Sequence, residues 1–267
     1  MKGEMNMAIV IAAANQKGGC SKTSVVANLG IGLALKGKKV CLIDADPQGS
    51  LTASLGYQEP DEIRYTLANI MMNIINEEEY DSKEGILHHE EGVDLVPANI
   101  ELSGLEVSLS NVMSREMILK EYVEQIRDEY DYILIDCMPS LGVMTINALV
   151  AADLVLIPVQ AAYLPVKGLQ QLIKTISVVK KRLNKQLKIE GILITMVDYR
   201  TNYAKDITAM LRDSYGMNAD IGVLQTFIPF SVKIQEASSE GISIFRYAPK
   251  CKVAESFSNL TKEVLSK

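Results

Sequence analysis

Histidine and cysteine are scarce in this chain of 267 residues, with two of the first and four of the second. His88 and His89 are adjacent, with no Cys or His at ligand spacing, so they read as surface residues and not as a metal centre. Cys20, Cys41, Cys137 and Cys251 form no C-x-x-C pair and read as free thiols in a reducing, cytoplasmic setting. No apolar stretch is long enough to span a bilayer. Met1 to Met7 carry one Lys and one Glu, which does not resemble a secretory signal. Pro/Gly/Ser linkers, internal repeats and low-complexity tracts are also lacking, so a single domain over 1–267 is expected. Nor is there an excess of positive charge. The formal net charge is −6, so any role with nucleic acid needs a local basic patch.

What is present is an ordinary globular composition, 48% hydrophobic and 22% charged, ample for a sizeable core. Short apolar runs at 8–14, 40–44, 93–96, 132–136, 154–159 and 189–197 read as strands, and the spacing over 25–35 reads as a helix. Near-continuous apolar strands separated by helices imply an α/β fold with a doubly wound, mostly parallel sheet covered on both faces. Ligands of such sheets bind at the carboxyl ends of the strands. The most polar punctuation falls there, at 15–23, 44–49 and 136–142, and is expected to form one composite site. Segment 57–91 breaks the rhythm with Glu77-Glu78-Glu79 and His88-His89-Glu90-Glu91, and reads as a peripheral helical insertion.

The run Asn15-Gln16-Lys17-Gly18-Gly19-Cys20-Ser21-Lys22-Thr23-Ser24 sits between a strand pattern and a helix pattern. That layout is a phosphate-binding loop: backbone N–H groups wrap the phosphates, Lys22 reaches the terminal ones, and the Thr23 hydroxyl binds Mg²⁺. The following helix N-terminus adds positive potential. The general pattern has Gly where this chain has Lys17 and Ser21. Asp44-Ala45-Asp46-Pro47-Gln48-Gly49 ends an apolar strand with two carboxylates, which is costly unless a cation or a water network uses them. Asp136, closing Tyr132-Ile133-Leu134-Ile135, has the layout of a Walker B aspartate that holds Mg²⁺ through water.

Taken in order, these motifs resemble the ParA/Soj family of partition ATPases, within the deviant Walker A group of P-loop NTPases that includes MinD. The family loop K-G-G-x-G-K-[TS] is met by 17–23 except at Ser21. Its D-x-D-P-Q-G-[NS] is met by 44–50, and its I-D-[TC]-P-P-S-L by 135–141 with Met138 for the first proline. Thr195-Met196-Val197-Asp198-Tyr199-Arg200-Thr201-Asn202 resembles T-M-x-D-x-R-T-N. Ile228-Pro229 and 232–241 echo I-P-R-N-V-R-L-S-E-A-P-S-x-G, with Phe230-Ser231 in place of Arg-Asn and Ser238 in place of a proline.

The resemblance implies slow ATP hydrolysis with ATP and Mg²⁺ as cofactors, in an ATP-dependent homodimer. Gly18, Gly19, Cys20, Ser21, Lys22, Thr23 and Ser24 would hold the phosphates, and Thr23, Asp46 and Asp136 the metal, with Asp44 tuning its waters. Lys17 would act across the interface on the other subunit's ATP, as an arginine finger does. Asp46 would position the attacking water, and 139–142 would sense the γ-phosphate. Met196, Pro229, Phe230 and Ser231 fall where the family forms its adenine pocket. Non-specific duplex DNA would be met by Lys233, Arg246, Lys250 and Lys252, which would place the protein on the nucleoid. A ParB-like partner would stimulate hydrolysis and release it.

A second basic stretch, Lys174, Lys180, Lys181, Arg182, Lys185 and Lys188, is either a further DNA contact or a solvated helix face, and the solvated face is the preferred reading. The alternative is a MinD-like or other cargo-positioning ATPase that uses a different surface. Residues 253–267 set Glu255 and Glu263 against Lys262 and Lys267, which opposes a membrane-targeting helix.

Overall fold

The computed structural model describes residues 7–161, 165–198, 201–216, 218 and 220–267. Strands β1 (Ile9–Ala13), β2 (Val40–Ala45), β3 (Leu87–His88), β4 (Val93–Val96), β5 (Tyr132–Cys137), β6 (Leu154–Gln160), β7 (Lys188–Val197) and β8 (Val223–Pro229) form one sheet. Their order is β3-β4-β2-β5-β1-β6-β7-β8. Every neighbouring pair is parallel except β3 with β4. The helices between them are α1 (Lys22–Ala34), α2 (Ser50–Ser54), α3 (Leu67–Ile75), α4 (Glu101–Ser108), α5 (Ile118–Ile126), α6 (Val143–Ala151), α7 (Pro165–Arg182), α8 (Asn202–Tyr215), α9 (Val232–Ser239), α10 (Ile244–Tyr247) and α11 (Lys252–Leu265).

The strand period of two divides the core into two layers. Val10 and Ala12 of β1, with Ile133 and Ile135 of β5, pack under α3, α4, α5 and α6. Ile11 and Ala13, with Leu42 of β2 and Leu134 of β5, pack under α1, α2, α10 and α11. This double coverage is why the central strands read as unbroken apolar runs: all six residues of β2 and all six of β5 are buried. The expected strands are all present, within a residue or two of their expected ends.

β3 and β8 lie outside those expectations. β8 closes one edge of the sheet and alternates instead of running apolar, with Leu224 and Ile228 inward. Its edge amides are covered by one side chain: Gln225 N and Thr226 N donate to the two Glu263 carboxylate oxygens at 2.7 and 2.9 Å, which occupies donors that another strand would otherwise use.

Segment 57–91 corrects the expectation of a peripheral insertion. Leu67, Ile70 and Met71 of α3 are fully buried, so this helix covers the sheet alongside α4, α5 and α6. The chain ends in α11, whose Val253, Ala254, Phe257, Leu260 and Val264 pack against α1 and β8. Its apolar face is therefore spent on the core. No helix among the described residues is long and apolar enough to cross a membrane.

Candidate functional site

The three polar segments meet at the carboxyl ends of the strands. The loop after β1 is clamped from beneath by two neighbouring strands. Asn15, buried, donates from Nδ2 to the Pro158 carbonyl on β6 at 2.6 Å, while its Oδ1 accepts from Lys17 N at 3.0 Å. Thr195 on β7, also buried, donates its hydroxyl to the Cys20 carbonyl at 3.1 Å. The Cys20 thiol donates to the Lys17 carbonyl at 3.1 Å, and burial pushes its pKa up. Ser21 then turns the chain into α1 with φ 68° and ψ 23°, and its side chain makes no capping bond. The first amides of α1 have no intrahelical acceptor and open onto the space above the loop, and the helix dipole favours an anion there.

A cavity occupies that space. It is lined by Gly18, Gly19, Ser21, Lys22, Thr23 and Ser24 of the loop and α1, by Asp46, Gln48 and Ser50 after β2, and by Pro139 after β5. Its far wall is Met196, Ile228, Pro229, Phe230, Ser231, Ile234 and Gln235. Met196 holds a positive φ of 53°. Phe230 is 54% exposed although its neighbour Ile228 is buried.

Thr23 donates its hydroxyl to Asp136 Oδ2 at 2.6 Å, and the other oxygen, Oδ1, is buried with no partner among the described residues. Asp44 stands opposite Asp136 on the adjacent strand. Burial pushes the Asp136 carboxyl up to about 8, with the Asp44 charge adding to it. Burial likewise pushes Asp44 up to about 7. Lys22 is the cation that acts on Asp136, and the orphaned Oδ1 leaves this carboxyl an acceptor free for a further cation or its water. Among the described residues no group of three or more His, Cys, Asp or Glu could hold a metal alone. The residues thus fit an ion that keeps several waters and completes its shell with phosphate oxygens, as Mg²⁺ does.

Several of the expected site residues take different positions. Asp44 is committed to the turn: Oδ2 accepts from Thr52 N and Thr52 Oγ1 at 2.9 and 2.8 Å, and Oδ1 accepts from Asp46 N at 3.2 Å. Asp46 lines the cavity, its Oδ1 accepting from Gln48 N at 3.0 Å. Asp136 lies beneath the lining and not on it. Cys20 gives the cavity no side chain, because its thiol is turned into the protein. Lys17 also stands outside, exposed, with Nζ 3.3 Å from Gln160 Oε1.

All four cations expected to face DNA, Lys233, Arg246, Lys250 and Lys252, are exposed, and Arg246 is also ion-paired at the surface with Glu90. Tyr199 and Arg200 of the T-M-x-D-x-R-T-N segment lie outside the described residues. Asn15, Gln48, Ser50, Ile234 and Gln235 lie within the motifs read from the sequence but carry no expected site role there. The last two follow Ser231, which caps α9 by accepting from Lys233 N at 3.3 Å, so a cap signal after Ile228-Pro229 marks their position.

Residues 8–189 match the AAA domain family. The sporulation initiation inhibitor protein Soj of Bacillus subtilis is 41% identical over 262 residues, covering 97% of this chain and 98% of its own. The chromosome partitioning protein ParA of Caulobacter vibrioides is 38% identical over 260 residues, covering 97% and 94%. Among solved structures, a cobyrinic acid a,c-diamide synthase from Mycobacterium smegmatis with bound ADP and magnesium superposes with a TM-score of 0.83 at 34% identity, covering 97% and 94%. MinD from Pyrococcus horikoshii, complexed with Mg-ADP, superposes with a TM-score of 0.74 at 25% identity, covering 97% and 96%. With loop, paired strand-end aspartates and full-length similarity in agreement, the chain belongs to the ParA/Soj family of partition ATPases.

Proposed function

We propose that this chain hydrolyses Mg²⁺-bound ATP, dimerises around the nucleotide, binds duplex DNA without sequence preference, and is released when a ParB-like partner stimulates hydrolysis. The observation that carries this reading is the Thr23–Asp136 pair beneath the loop, a 2.6 Å bond that leaves Asp136 Oδ1 buried and unpaired. The partition names of Soj and ParA and the nucleotides bound in solved relatives support it.

In this reading Thr23, Asp46 and Asp136 hold the metal, directly or through water. When bound, Mg²⁺ neutralises phosphate charge and polarises the bond that breaks. Lys22 is only 7% exposed, so its ammonium acts on the terminal phosphates in a poorly screened setting. The loop amides cradle the remaining phosphate oxygens. Asp46, steadied by its bond from Gln48 N, orients the attacking water. Met196, Pro229 and Phe230 offer the base an apolar wall, with an aromatic face for stacking. Lys17 stands outside its own cavity, as a cation meant for the other subunit's ATP must.

Size-exclusion chromatography with ATP and Mg²⁺ tests the cycle. Asp46→Ala should bind ATP and persist as a dimer, because the water-orienting group is gone while the phosphate cradle remains. Lys17→Ala should lose hydrolysis or dimer formation. If neither substitution changes nucleotide-dependent elution or turnover, the reading fails.

Ser21 gives a second test. A non-glycine residue at φ 68° carries a strain of about 1 kcal/mol, so Ser21→Gly should raise Tm by about 2 °C. It should also raise ATP turnover by relaxing the loop around the phosphates. A wild type that turns over as fast as Ser21→Gly contradicts that account of the loop.

A further inference from the structure

The positive charge of this chain is concentrated away from the expected DNA-facing residues. Arg246 is ion-paired with Glu90, and the exposed Lys233, Lys250 and Lys252, though unpaired among the described residues, are interspersed with Glu236, Glu240 and Glu255. By contrast, the sequence between Asp153 and Glu190 contains seven cations and no acidic residue, in a protein of net charge −6. Lys174, Lys180, Lys181 and Arg182 lie on α7, Lys185 in the turn after it, and Lys188 opens β7. All six are exposed. Among the described residues, none of the six makes a side-chain hydrogen bond or salt bridge. The neighbouring carboxylates do not neutralise them. Glu190 is paired with Lys267 at 3.0 Å, and Asp220 borders the groove beside Lys180 and Lys181 without reaching ion-pair distance.

The fold fixes where this charge sits. β1, β6 and β7 are parallel, and the cavity lies past their carboxyl ends. Lys188 begins β7, and α7 returns antiparallel to the strands, so Lys180 to Lys188 occupy the opposite pole of the sheet.

We propose that this α7–β7 end is a contact surface for the phosphate backbone of duplex DNA, separate from the nucleotide cavity. It rests on the DNA-binding reading above and gives that reading a location. Lys174 and Lys181 are two helical turns apart, about 10 Å, over which a duplex presents about six charges. The cations are spread along a helix, a turn and a strand start, instead of converging on one ligand. Lysines so placed neutralise phosphates and read no base edges, which is the chemistry of sequence-independent binding. Val178 and Leu183, 47% and 39% exposed, make an anionic bilayer the competing partner. Because the surface belongs to each subunit, dimerisation around ATP doubles it, so the ATP dimer should hold duplex more tightly than a single subunit. A dimer joined across the cavity face carries two such surfaces at its far ends.

Fluorescence anisotropy of a labelled random-sequence duplex tests this across a salt series, with and without ATP and Mg²⁺ and with melting curves as the fold control. The triple variant Lys180→Gln, Lys181→Gln, Arg182→Gln should lose at least about tenfold in affinity, and its slope of log K against log salt should fall by about 2.7. Lys233→Gln, Lys250→Gln, Lys252→Gln should lose less. Wild-type affinity and slope in the α7 variant, while the wild type binds duplex, overturn this surface and leave the DNA-binding reading standing. A wild type that ignores duplex in low salt under both conditions overturns both. If phosphatidylserine vesicles are bound in place of duplex, and the α7 variant loses them, the DNA assignment is overturned in favour of a membrane.

Discussion

Lys22→Ala is expected to lower ATP turnover by about 10²–10³-fold while leaving the protein folded. Lys22 opens α1, is 7% exposed and lines the cavity with Gly18, Gly19 and Thr23. A cation held there without solvent acts where charge develops as the terminal phosphate leaves, and among the described residues no other lysine lines the cavity to replace it. Lys22→Arg should rescue little, since the planar guanidinium does not reproduce a compact ammonium in a near-buried position. Steady-state turnover read beside a melting curve checks this. A fall of less than about tenfold in folded protein means that Lys22 is a structural lysine.

Gly241→Ala should be the costliest small substitution remote from the phosphates. Gly241 holds φ +70°, and a Cβ there would lie 2.4 Å from Gly56 Cα and 2.8 Å from Gly56 N. Both obstacles are backbone, and Gly56 itself holds φ +94°, so neither side yields cheaply. Overpacking and the positive φ together cost about 2–4 kcal/mol, or roughly 5–10 °C in Tm. The damage should reach function. This contact joins the turn after α2 to the end of α9, and Ser50 and Gln235 from those same two helices line the cavity. The His89 Nε2 contact with the Gly241 carbonyl at 3.1 Å ties a third segment to the junction. KM for ATP should therefore rise as Tm falls. A Tm within about 2 °C of wild type would falsify the close packing.

The legible parts of the fold are those where burial acts on both faces of a strand, as in Val40–Ala45 and Tyr132–Cys137. β8 escaped because an edge strand buries only some of its residues, and Gln225 and Thr226 break its apolar run. The core role of α3 is hidden because an acidic run follows it, although Leu67, Ile70 and Met71 are buried. In the site, the loop, Asp46 and Asp136 are visible as strand-end polar residues. The bracing is not. Asn15 reaches Pro158 across 143 positions and Thr195 reaches Cys20 across 175, separations that no local pattern encodes. The pairing of Arg246 with Glu90, 156 positions apart, is hidden for the same reason. The outward direction of Lys17 and the inward direction of Cys20 depend on the same long-range clamps.

The central claim is that Thr23 and Asp136 form the metal end of an ATP site. Its most direct test is the Mg²⁺ dependence of ATP turnover in Asp136→Asn, which keeps the shape of the side chain and removes its charge. The account predicts a turnover loss of about 100-fold and a half-maximal Mg²⁺ concentration at least about tenfold higher than in wild type. Wild-type turnover at wild-type Mg²⁺ in that variant would contradict it.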